Sequence, residues 1–97
     1  MVIKWNKAAV QQLVDAILFI EETGFYTYSE ELEREILSRI RNLPENPLVY
    51  PLDKYRKNND GTYRAFEVDH YRISYRNTKN TIRIVRIRHT RRKVRKY

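Results

Sequence analysis

The spacing of apolar positions changes period along this chain, and each change marks an element. Val2 to Trp5 is short, apolar and β-prone, which predicts a first strand at the edge of a sheet. From Lys7 to Thr23, the residues Val10, Leu13, Val14, Ile17 and Ile20 recur at three- and four-residue spacings, the stripe of an amphipathic helix. Asn6 is placed to cap that helix, and Gly24 stands just past its end, where a left-handed residue is favoured. Thr27 and Glu30 have the spacing of a capping box. The helix they introduce carries Leu32, Ile36, Ile40 and Leu43 on one side, with Glu31, Glu33, Arg34 and Glu35 around the rest, until Pro44 ends it.

After a loop holding Pro47, Pro51 and the turn Asn58-Asn59-Asp60-Gly61, the period drops to two. Tyr63 to Val68, Tyr71 to Arg76 and Thr81 to His89 predict three strands, joined by Asp69-His70 and by Asn77-Thr78-Lys79-Asn80. Alternation puts Tyr71, Ile73 and Tyr75 on one face, where the tyrosines serve as core, and Arg72, Ser74 and Arg76 on the other. The last run breaks phase: Ile82 and Ile84 share one face, Val85 and Ile87 the other. This requires either a bulge near Ile84 or a central strand covered on both sides. Two amphipathic helices joined by a short turn form an antiparallel hairpin, and their apolar sides must pack on the sheet. The expected fold is α+β: an N-terminal strand, a two-helix hairpin and a mainly antiparallel twisted sheet of about four strands. The loop before the strands is placed to border a binding groove.

A length of 97 residues suits a single domain spanning 1–97 and is too short for two. No apolar run approaches the roughly 20 residues of a membrane-spanning helix, and Trp5, Asn6 and Lys7 interrupt any signal-peptide core, so no membrane is expected. The absence of cysteine excludes disulfides and thiolate metal sites and fits a cytoplasmic location.

Charge distribution changes the picture more than total composition does. Residues 1–50 carry five Lys/Arg against eight Asp/Glu, a balance of −3, whereas residues 51–97 carry fifteen against four, a balance of +11. From Arg86 to Tyr97 there are seven Lys/Arg and no acid. Such a cluster is the footprint of a phosphate-rich partner. The plainer reading is a solvated, partly frayed segment, but Arg64, Arg72 and Arg76 lie within predicted strands, which favours an ordered basic surface.

The two glycines are too far apart for a phosphate loop, and His70 and His89, the only histidines, lack the spacing of metal ligands, so no cofactor or metal is implied. What remains is cationic and aromatic. Arg72 is expected to point outward, opposite Tyr71 and Ile73. As a plain exposed charge its loss changes stability by less than about 1 kcal/mol. As a donor to a scissile phosphate its loss slows the reaction by about 10² to 10³. Arg64 shares a face with Phe66 and Val68, so it stands either at an edge or in the wall of a cleft.

Taken in order, the short strand, the helical hairpin, Tyr71-Arg72-Ile73-Ser74-Tyr75-Arg76, the strand Ile82 to Ile87 and the closing His89-Thr90-Arg91-Arg92 resemble the RelE/ParE superfamily of bacterial type II toxins. The resemblance spans nearly the whole chain. It implies a growth-inhibiting toxin neutralised by a cognate antitoxin, acidic and partly disordered, that folds on binding. One branch enters the ribosome and cuts mRNA, and another inhibits DNA gyrase. A non-toxic nucleic-acid-binding or interaction module is a third reading. In the nuclease pattern the catalytic positions fall on Arg64, Arg72 and Arg92, with His89 or Tyr97 assisting proton transfer. A 2′-OH would attack the adjacent phosphate without a metal. A second strand lysine of that pattern falls on Phe66, which neither donates to phosphate nor moves a proton. Arg76, Arg88, Arg91, Lys93, Arg95 and Lys96 would contact nucleic acid. Ribosome-dependent mRNA cleavage is the first expectation, gyrase inhibition the alternative.

Overall fold

A computed structural model describes residues 1–93 and 95–97. Strand β1 (Val2–Trp5) leads into helix α1 (Lys7–Glu22), helix α2 (Tyr26–Arg41) and a 3-10 turn at Leu43–Glu45, followed by a long loop and strands β2 (Tyr63–Val68), β3 (Tyr71–Thr78) and β4 (Thr81–His89). The sheet order is β1-β4-β3-β2, with β1 parallel to β4 and the other pairs antiparallel. The expected α+β architecture is present, with β1 at an edge. Among the described residues, no helix is long and apolar enough to cross a membrane.

Local chemistry explains the helix ends, with two departures from the sequence reading. Gly24 takes φ 87°, its N–H reaches the Glu21 carbonyl at 2.9 Å, and the Phe25 N–H reaches that of Ile20 at 3.3 Å. These two bonds are the Schellman closure of α1. That closure releases the chain so early that α2 begins at Tyr26, and the capping box expected at Thr27 and Glu30 does not form, since Phe25 is the N-cap and no side chain caps the helix. Asn6 is the N-cap of α1, but its side chain accepts from Arg83 Nη1 at 3.2 Å instead of from the helix.

The core lies between the hairpin and one face of the sheet. Leu32, Ile36, Ile40 and Leu43 are buried as expected, although Leu43 belongs to the 3-10 turn. On α1 the buried line is Ala9 and Ile20, with Leu13 and Ala16 packed partly against the core, while Val10 and Val14 stay 46% and 44% exposed. Small residues let a helix approach the sheet closely, and a reading by apolarity alone favours the larger valines. Across the sheet, register sets Phe66 beside Ile73 and Ile87, and Tyr75 beside Ile84, all facing the helices. The phase break in β4 is a bulge: Ser74 pairs with Arg86 while Tyr75 pairs with Ile84, so Val85 is the extra residue and Ile87, expected on the opposite face with Val85, returns to the helix side with Ile82 and Ile84.

The loop continues the sheet beyond β2. Ala65 N–H donates to the Pro51 carbonyl at 3.1 Å and Asp53 N–H to that of Tyr63 at 2.9 Å. Asn59 fixes the far turn by accepting from the Gly61 and Tyr63 amides at 2.9 and 3.2 Å. Thus a segment without hydrophobic periodicity becomes a rigid border for the sheet's other face.

Candidate functional site

Period two directs Glu67 of β2, Arg72, Ser74 and Arg76 of β3, and Arg83, Arg86 and Arg88 of β4 to the face away from the helices. Five arginines on neighbouring strands need counter-charge or acceptors to lie together. Asp53 of the loop provides the centre. Its side chain is wholly buried, it accepts from the Tyr55 amide at 3.1 Å, and it receives Arg72 Nη2 at 3.1 Å and the Tyr97 hydroxyl at 2.6 Å. Arg72 Nη1 reaches Glu67 at 3.1 Å, and its guanidinium lies 4.9 Å from the Tyr55 ring centre. Burial pushes the Asp53 carboxyl up, but hydrogen bonds from Tyr97, the Tyr55 amide, Arg72 and Ser74 outweigh it and hold the group below the ordinary carboxylate range. Burial, and next the bond to Asp53, push the Tyr97 hydroxyl well up, so it stays a neutral donor.

The basic segment after β4 is anchored rather than frayed. Arg86 Nη1 donates to the Arg95 carbonyl at 3.1 Å, and Arg88 Nη2 to that of Lys93. Tyr97 N–H donates to the Tyr55 carbonyl at 2.9 Å, and its own carbonyl accepts from the Lys57 amide at 2.6 Å. Beneath the segment is a cavity of about 50 Å³ bordered by Arg72, His89, Arg92 and Tyr97 among others. That space suits a few water molecules, since a site for a ligand of drug size needs at least about 300 Å³.

The residues singled out from sequence are therefore partly gathered. Arg72, His89, Arg92 and Tyr97 border one cavity. Arg64 does not: it pairs across from Tyr75 on the helix-facing side and donates from Nη1 to the Tyr50 carbonyl at 2.7 Å. Of the two alternatives for Arg64, the edge position holds, because β2 is the outer strand and only the loop covers it. Phe66 stacks on Tyr50 at 4.5 Å between ring centres, a packing role. His89 also turns toward the helix side, with its ring edge-on to Tyr71 at 5.1 Å and its Nδ1 accepting from the Arg91 amide at 3.1 Å. Burial, then the neighbouring His70, Arg91 and Arg92, lower its pKa and favour the neutral ring. Arg76 reaches Asp60 at 3.4 Å and Thr62 at 3.1 Å. Arg91, Arg92, Lys93, Arg95 and Lys96 remain exposed.

The expectation of a solvent-facing Arg72 is corrected. Its side chain is only 16% exposed, because the loop and Tyr97 cover it and two carboxylates grip it. Sequence reasoning does not single out Asp53, Tyr55 or Glu67 as site residues. The signal available is Asp53, one of only four acids in the strongly basic half of the chain and two residues before Tyr55.

A family model described as the ParE toxin of the type II toxin-antitoxin system, parDE, matches residues 3–94. The chain belongs to the ParE toxin family. Among solved structures, one described as the chromosomal ParDE TA system from P. aeruginosa matches with a TM-score of 0.71 at 15% identity, covering 92% of this chain and 95% of that one. At that identity the likeness speaks for the fold. No curated protein sequence matches. This ParE-family chain is thus the toxin of a type II toxin-antitoxin system, within the RelE/ParE superfamily, and a cognate antitoxin is its partner.

Proposed function

We propose that this toxin arrests growth by binding and inhibiting DNA gyrase, and not by cutting mRNA. One observation carries the choice: Asp53 occupies both the Arg72 guanidinium and the Tyr97 hydroxyl. Cleavage by a 2′-OH needs a group to take that proton, donors for the charge that develops on phosphorus, and an acid for the leaving oxygen. Arg72 faces Asp53 and Glu67, whose charges offset its pull on a phosphate. Tyr97 is a neutral donor with its pKa raised, poorly suited to take or release a proton near neutrality. Arg64 lies on the opposite face, and Phe66 stands where the nuclease pattern has a lysine. The family match supports the same direction, since the ParE-like branch acts on gyrase.

The antitoxin, in this reading, covers the outer side of α1. Val10, Val14, Leu18 and Phe19 are 46%, 44%, 50% and 63% exposed there, and clustered exposed apolar side chains mark an interaction surface. Its acidic segment meets the +8 chain, so binding weakens as salt rises.

The test of the gyrase reading is a supercoiling assay with purified gyrase, ATP and relaxed plasmid. Added toxin should abolish supercoiling. Undiminished supercoiling at a large excess of folded toxin would overturn the proposal.

A further inference from the structure

The cations of the basic face divide into two groups. Arg72, Arg76, Arg83, Arg86 and Arg88 each donate to an acceptor within the molecule. Arg91, Arg92, Lys93, Arg95 and Lys96 are exposed, and among the described residues none of them makes a salt bridge. The first group holds the second in place: carbonyls of Lys93 and Arg95 are tied to the sheet, and Tyr97 anchors the end by two backbone bonds and its hydroxyl. A row of cations ordered before binding loses little conformational entropy on meeting its partner.

We infer that the exposed cations Arg91, Arg92, Lys93, Arg95 and Lys96 form a binding site for the phosphate backbone of duplex DNA. The inference deepens the gyrase reading, on which it rests for the source of that DNA. No acid interrupts the chain from Arg86 to Tyr97.

The aromatic groups of this face select duplex over single strand. Recognition of unpaired nucleic acid uses open aromatic faces on which bases stack. Here each nearby ring already has two cations over it. Tyr55 has Lys54 at 5.2 Å and Arg72 at 4.9 Å, Tyr63 has Arg56 at 4.1 Å and Arg76 at 5.0 Å, and Tyr97 has Arg56 at 5.1 Å and Arg86 at 4.5 Å. What the face offers a nucleic acid is clustered positive charge, which suits a paired backbone and carries no sequence preference.

The test is fluorescence anisotropy of a labelled duplex of about 20 base pairs and arbitrary sequence, titrated with the purified toxin between about 50 and 200 mM salt. The wild type should bind with affinity falling steeply in salt. The triple variant Arg91→Ala/Lys93→Ala/Lys96→Ala, with its folding checked by thermal melting, should flatten the slope of log K against log salt by about 0.9 for each phosphate it no longer neutralises. Arg34→Ala on α2 should leave the slope unchanged. An unchanged slope in the triple variant, or tighter binding to a single strand of the same length, would overturn the inference. So would a triple variant that loses only antitoxin binding, because the segment would then be a protein site. The supercoiling assay run alongside keeps the two proposals apart. DNA binding without gyrase inhibition removes the gyrase reading and leaves the site, whereas inhibition without DNA binding does the reverse.

Discussion

The two faces of this sheet are held by different forces. Toward the helices, Ile73, Tyr75, Ile82 and Ile84 are each 0% exposed, and stability there comes from apolar burial, at roughly 1.5 to 3 kcal/mol for each large side chain. Toward the loop and the basic segment, the packing is made of guanidiniums over tyrosine rings around one buried carboxylate. The difference teaches how to read arginines in a basic strand. An arginine that looks poised for phosphate can instead be part of a polar second core, and the groups available to a partner are those for which that core has no acceptor.

Truncation at the centre of each face gives the largest effect and the sharpest comparison. Ile73→Ala should cost about 2 to 5 kcal/mol through the cavity it leaves. Asp53→Ala, although in a loop, should fall in the same range, about 3 to 5 kcal/mol, because it strands the mostly buried Arg72 without its partner. Urea unfolding measures both. A loss below about 1 kcal/mol for Asp53→Ala would mean that the polar face merely decorates the apolar one.

Tyr97→Phe comes next. It keeps the ring against Arg86 and removes the hydroxyl from Asp53, at a cost of about 1 to 3 kcal/mol. The two partners also give the stability curve its limbs. Asp53 is held low in the fold, so its contribution is present above the unfolded value near about pH 3.9 and is lost as pH falls through the folded value. Tyr97 is held high, so its contribution is present below about pH 10 and is lost as pH rises toward the folded value. Thermal melts across pH should therefore show Tyr97→Phe with a smaller alkaline loss than wild type. The remainder comes from Tyr75, pushed up to about 12 by burial, and from Tyr28 and Tyr71, which burial also raises. Equal alkaline limbs in both proteins would remove Tyr97 from the network. At the small end, Lys93→Ala, on the exposed segment, should change stability by no more than about 0.5 kcal/mol.

What the sequence makes legible follows the same division. Period-two alternation places Tyr71, Ile73 and Tyr75 in the core and Arg72 opposite them, because strand geometry acts at every residue alike. The bulge at Val85 shows as a phase break, and Gly24 marks the helix end through its backbone requirement. On α1 the choice between Ala9 and Val10 is not legible, since helix spacing allows both and closeness of approach decides. Asp53 is not legible either. It meets Arg72 across 19 positions from an aperiodic loop, and a single carboxylate between Leu52 and Lys54 announces no partner. Without Asp53, Arg72 and Tyr97 read as catalytic groups. With it, they read as structure.

On the proposed function, this basic face binds and performs no cleavage. Mapping the 5′ ends of transcripts in cells induced for the wild-type toxin tests it most directly. Growth arrest is expected with no new 5′ ends inside coding regions during the first minutes, while plasmid supercoiling declines. New ends within codons of translated messages, appearing before any change in supercoiling, would contradict it and return Arg72, Arg92 and Tyr97 to an active site.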